Sequence, residues 1–136
     1  GAGWYRYSAT GGKLADASVE DLICQESAVA GINRRVFTEA EIQHRLVLAM
    51  VNEAADILAD GIAENAADID LVTIHGYGFP RWRGGLMHYA DQIGVSDILR
   101  HLRALADEDP LVWRPSPVIV DCAEKHISLA AWHRAE

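Results

Sequence analysis

Apolar residues recur at helical spacing through most of the chain, most clearly between Thr38 and Gly61. Ile42, Leu46, Met50, Ile57 and Leu58 fall on one side of a helix there. Leu48 and Val51 lie on other faces, which predicts a helix surrounded by protein, with a narrow polar strip of Arg45, Asn52, Glu53 and Asp56. Thr38 and Glu41 form a T-x-x-E pattern, in which each side chain satisfies a free N–H at the helix start, and Gly61 ends the element. Before this helix, Ser18 with Asp21 signals an earlier start. Val19, Leu22, Ile23, Val29 and Ala30 follow at helical spacing, and Gly31 is the stop.

The stretch "ADIDLVTIHG", Ala67 to Gly76, is ambiguous by period alone. Leu71 to Ile74 would suit a buried strand, but Asp68 and Asp70 suit a helix N-terminus, and the flanking helices favour a short helix. Gly84 or Gly85 opens another helix through Ala90, and Gly94 breaks it. Ser96 caps an amphipathic run of Ile98, Leu99, Leu102, Leu105 and Ala106. Ser116 and Pro117 start a last helix with Ile119, Cys122, Ala123, Ile127 and Ala130 on its apolar face. The expected fold is all-α, a compact bundle of five or six helices. Residues 1–17, broken by Gly11 and Gly12, read as an extended entry segment or linker, and residues 18–136 as a single helical domain. The opening "GAGWYRYSATGG" lacks an initiator Met and reads as a linker within a longer chain.

Composition narrows the function. The 136 residues carry 12 Lys and Arg against 20 Asp and Glu, a formal charge of −8. Nucleic acids and anionic membranes are poor partners for such a chain, because phosphate affinity rests on Lys and Arg. No apolar run is long enough to span a bilayer. Cys24 and Cys122 sit in no CxxC pattern and read as reduced, partly buried thiols, which together with the composition suits a cytoplasm.

Tests for chemistry mostly fail. "HGYGFPRWRGG", His75 to Gly85, resembles a phosphate cradle in composition, but a dinucleotide fingerprint needs a third glycine where Arg81 stands. The glycines serve better as positions of positive φ and close approach, so Gly76, Gly78 and Pro80 are read as structural. None of the six histidines forms an HxxxH or HExxH pair, and no G-x-S-x-G is present, so no catalytic, cofactor-binding or metal-ligating residue is assigned. Glu53 is expected near the apolar side of its helix. There it would pair with Arg45 or hold a neighbouring helix end or the glycine loop. Tyr77, Phe79, Arg81, Trp82 and Arg83 have the composition of a contact surface, with a loop folding its own aromatics inward as the competing reading.

The segment "EIQHRLVLAMVNEAADILADGIAENAADIDLVTIHGYGFPRWRGGLMHYADQIG" resembles the C-terminal helical domain of 3-hydroxyacyl-CoA dehydrogenases. More narrowly, it is similar to the second copy of that domain in multifunctional enoyl-CoA hydratase/3-hydroxyacyl-CoA dehydrogenase proteins of fatty-acid β-oxidation. "GAGWYRY" and "RRVFTEAEI" fit the same resemblance. The resemblance implies that NAD and the catalytic His–Glu pair belong to an upstream Rossmann domain outside this chain. It further implies that a substrate-contacting Asn of single-function members is replaced here by His44, before Arg45, with Glu53-Ala54 farther on.

Three readings result. The first is a noncatalytic helical domain that packs against upstream helical and Rossmann domains of one polypeptide, in dimer-like support of their active site. NAD and the acyl-CoA substrate then belong to the parent protein alone. The second is a stand-alone homodimeric interaction module of the same fold, and the isolated domain is expected to pair with itself. The third is an enzyme with its own site around His44, Arg45 and Glu53.

Overall fold

The computed structural model describes residues 3–134. The chain forms two compact units, one ending at Thr38 and the other beginning at Glu39. In the first unit, β1 (Tyr5–Tyr7) and β2 (Lys13–Ala15) make an antiparallel hairpin with Arg6 opposite Leu14. The segment expected to be irregular is therefore partly paired. Ser8 and Gly12 close its turn, where Gly11 takes φ 82°. Helix α1 (Ala17–Val29) follows, and Asp16 is its cap, accepting from the Ser18 amide at 3.0 Å. The cap thus sits two residues before the expected Ser18. No described residue of this unit is buried, although Leu22, Ile23 and Val29 of α1 are apolar.

The second unit is all helix: α2 (Glu39–Ala59), α3 (Ala66–Gly76), α4 (Leu86–Ile93), α5 (Val95–Ala106) and α6 (Pro117–Lys125), with 3-10 turns at Arg81–Arg83 and Leu129–Ala131. The ambiguous stretch is helix, and Asn65 caps it by accepting from the Asp68 amide at 3.1 Å. Gly94, at φ 99°, separates α4 from α5 alone, so α5 starts one residue before the expected cap Ser96. Short α4 is the hub, touching α2, α3, α5 and both 3-10 turns, while α6 lies against α2 and α5. The buried apolar cluster runs from Leu48 to Leu129 and includes Val51, Leu58, Met87, Ile98, Leu102 and Ile119. Each such side chain stabilises the fold by about 1.5–3 kcal/mol relative to exposure.

One sequence expectation changes sign. The buried face of α2 is Leu48, Val51, Asn52, Ala55 and Leu58, whereas Ile42, Leu46 and Met50 are exposed. Helix α2 has two apolar lines, and α4 and α6 cover only one of them.

Candidate functional site

The segment from His75 to Gly85 ends α3, loops out from Tyr77 and enters α4. The Phe79 amide turns back to the Thr73 carbonyl at 2.9 Å, and Gly78 takes φ 72° to allow it. Gly76, by contrast, is the last helical residue, and an added Cβ would meet only Val72, at 4.0 Å. The chain then passes Pro80, turns once in 3-10 form, and reaches Gly84 and Gly85 at φ 78° and 114°. A Cβ on Gly85 would strike the Asp70 side chain, and one on Gly84 the His88 ring.

That close approach has a purpose. Asp70 Oδ1 accepts from the Met87 amide at 2.7 Å and from the His88 amide at 3.3 Å, so a carboxylate of α3 caps α4. The Leu86 amide also reaches Thr73 Oγ1 at 3.4 Å. Burial raises the Asp70 carboxyl above its ordinary value, against the lowering pull of the Met87 and His88 amides. Asp91 does the same work for the last turn, accepting from the Leu129 and Ala130 amides at 2.7 and 3.1 Å. Sequence reasoning missed both roles. Asp70 reads locally as a residue of its own helix start, and its partners lie 17 and 18 residues on.

The loop aromatics divide. Phe79 is half-buried against the core and tilts against Tyr89 at 6.1 Å. Tyr77 and Trp82 stay outside, 78% and 77% exposed. The Arg83 guanidinium lies 4.3 Å from the Trp82 ring and 4.1 Å from the Tyr89 ring, and Arg81 is exposed. Behind them a groove of about 440 Å³ is lined by His44, Leu46, Val47, Phe79, Pro80 and Arg83, among others. The loop brings Arg83, Phe79 and Pro80 together with His44 of α2, while Tyr77 lines a separate groove with residues of α2 and α3.

Along α2, His44 stacks edge-on against His101 of α5, with centroids 4.6 Å apart. Burial holds the His44 imidazole below its ordinary value, helped by the neighbouring His101 and Arg45. Arg45 pairs with Glu108 at 2.7 Å and with Glu41 at 3.6 Å. Glu53, expected toward the buried side, is exposed and forms no pair with Arg45. Its neighbour Asn52 occupies the inward position, since one residue turns the helix by about 100°. Asn52 is 9% exposed, donates to the Arg114 carbonyl at 2.9 Å and accepts from the Ser116 amide at 2.8 Å. It clamps α2 to the entry of α6.

Other reactive groups have quiet surroundings. Burial pushes the Cys122 thiol up to about 11, which keeps it protonated and poorly nucleophilic at neutral pH. Cys24 is exposed on α1. Among the described residues no cluster of three His, Cys, Asp or Glu is arranged to hold a metal ion. No described helix is long and apolar enough to cross a membrane.

The chain is similar in sequence to known proteins. The chain is 39% identical over 125 residues to the peroxisomal bifunctional enzyme of Danio rerio, which covers 88% of this chain and 17% of that protein. It is 34% identical over 112 residues to the peroxisomal bifunctional enzyme of Homo sapiens, covering 81% and 16%. It is 35% identical over 99 residues to the fatty acid oxidation complex subunit alpha of Ectopseudomonas oleovorans, covering 73% and 13%. The chain therefore spans about a sixth of the length of the first two relatives and less of the third. Residues 42–127 match the family described as 3-hydroxyacyl-CoA dehydrogenase, C-terminal domain, and with its all-α fold the chain belongs to that family.

Proposed function

We propose that this chain is a noncatalytic, second copy of the helical domain in a multifunctional β-oxidation protein. An upstream Rossmann domain of that protein would bind NAD and carry the catalytic pair. There, hydride passes from 3-hydroxyacyl-CoA to NAD and leaves the 3-ketoacyl-CoA. This domain packs beside that machinery and supports its geometry. The observation that carries the reading is the match of residues 42–127 to the C-terminal domain, in relatives whose remaining length lies outside the match.

The geometry supports it at two places. The glycine loop does not fit a dinucleotide: the α4 amides that would meet a phosphate already hold the Asp70 carboxylate. The position that corresponds to a substrate contact, His44, is engaged within the domain against His101, and the following Arg45 against Glu108. In this reading Trp82, Arg81 and Arg83 face the preceding helical copy, which covers the exposed aromatic surface. The compartment follows the parent protein. Two of the relatives named above are peroxisomal by name, so the cytoplasm expected from composition is not selected by this domain.

The test is calorimetric titration of the 136-residue chain with NAD and with a 3-hydroxyacyl-CoA. Neither should bind at micromolar concentration, and no NADH should form. Micromolar NAD affinity would overturn the reading.

A further inference from the structure

Helix α2 leaves a line of apolar side chains uncovered. Ile42, Leu46 and Met50 follow one another at four-residue intervals, all exposed, Leu46 at 61%. Glu53 and half-buried Ile57 continue the line, which extends about 22 Å at helical rise. At its C-terminal end the line opens into a groove of about 730 Å³ between α2 and α3. Met50, Ile57, Ile62, Val72 and Tyr77 form much of its wall, with Ile62 76% exposed. Three carboxylates, Glu53, Glu64 and Asp68, also line it, and no Lys, Arg or His does. None of the three enters an ion pair among the described residues.

This combination selects an occupant. The apolar wall favours a ligand with large apolar side chains. Three like charges without a counter-ion favour cations and repel phosphates or carboxylates, so an acyl-CoA or fatty acid is a poor fit. A small cation would occupy only part of the groove and leave Ile42 and Leu46 bare, whereas a helix laid along α2 covers both. A second copy of this chain would bring the same carboxylates and the same net charge of −8.

We propose that the α2–α3 face docks a cationic amphipathic helix of a partner protein. Apolar residues of the partner, at i, i+3, i+4 and i+7, lie on the line from Ile42 to Ile57 and enter the groove. Its Lys or Arg side chains reach Glu53, Glu64 and Asp68. The proposed role in β-oxidation is not needed for this, because only the surface chemistry enters.

The probe is a labelled helical peptide of about 15 residues, leucine at those spacings and lysine elsewhere, with a glutamate-for-lysine counterpart. Fluorescence anisotropy against the full chain should show the lysine peptide binding at least about tenfold tighter than the glutamate peptide. Glu53→Lys with Glu64→Lys should reverse that preference. Asp107→Lys with Glu124→Lys, the same charge change at exposed sites outside the groove, should leave it in place. Leu46→Gln should weaken the lysine peptide without unfolding the chain, since Leu46 is already exposed. Circular dichroism confirms that each variant is folded. Absence of binding, equal effects of the two charge-reversal pairs, or no effect of Leu46→Gln would overturn the proposal. So would a dimer of the chain that Glu53→Lys with Glu64→Lys abolishes, which would assign the face to a second copy.

Discussion

At the scale of single residues, one carboxylate and one glycine are matched, Asp70 with Gly85. Asp70 can cap α4 only because Gly85 has no side chain to displace it. Replacing Asp70 by Ala should cost about 1–2 kcal/mol, as other caps do, and Asn should cost less because it keeps an acceptor. Gly85→Ala should destabilise by about 1–3 kcal/mol through its φ of 114° and the collision with Asp70. Gly76→Ala should be neutral or stabilising, since that position is helical and open. Urea unfolding of the four variants checks the order. Asp16 offers a finer readout. Its hydrogen bonds to Ser18 and Arg6 lower its carboxyl to about 2, below an ordinary 3.8. The contribution of the cap is therefore present above 3.8 and is lost as pH falls through about 2. The Ser18 amide resonance should titrate with a midpoint near 2, and a midpoint near 3.8 would show that the cap is not formed in solution.

At the scale of elements, two contacts hold α2 in place by different means. The Asn52 clamp closes two backbone groups at the entry of α6. Asn52→Ala leaves both without partners in a buried place and should cost about 2–3 kcal/mol. An equilibrium unfolding midpoint unchanged by the substitution would refute the clamp. The His44–His101 contact joins α2 to α5 through rings, with Arg45 and Asp97 as charged neighbours. The lowered His44 value means that the folded state resists protonation. Stability from this contact is present above the ordinary 6.5 and falls as pH drops below it. Thermal unfolding followed from pH 7.5 to 5.5 should show that loss, and His44→Phe should flatten it. An equal slope in both proteins would place the acid sensitivity elsewhere.

At the scale of the molecule, every member of the buried apolar cluster lies in the unit that starts at Glu39. A chain of residues 39–136 should therefore keep a cooperative thermal transition, whereas a broad, noncooperative melt would show that the earlier residues are needed. The exposed Trp82, flanked by Arg83, is the anchor proposed for the preceding helical copy. An aromatic at the centre of such a contact is worth about 2 kcal/mol or more on truncation. Trp82→Ala should stay folded and weaken association with the separately expressed upstream region, read by analytical ultracentrifugation. A folded variant with unchanged association would remove Trp82 from the interface.

The helices were legible in the sequence because their causes are local. Caps, glycine stops and 3.6-residue spacing act within a few residues of the chain, and they marked the helices to within a few residues at most ends. The family was legible for a related reason: "NEAADIL", "DID" and "GYGFPRWRGG" are contiguous motifs. The hairpin of β1 and β2 was not, since strands of three residues with no buried face leave no alternation to read. Nor was the face of α2 that turns inward. Ile42, Leu46 and Met50 are as apolar as Leu48, Val51 and Leu58, and only the packing of α4 and α6 buries the second set. That choice sent Asn52 inward and Glu53 outward. It also left the exposed line and its acidic groove, because burial depends on partners distant in sequence, which local periodicity cannot distinguish.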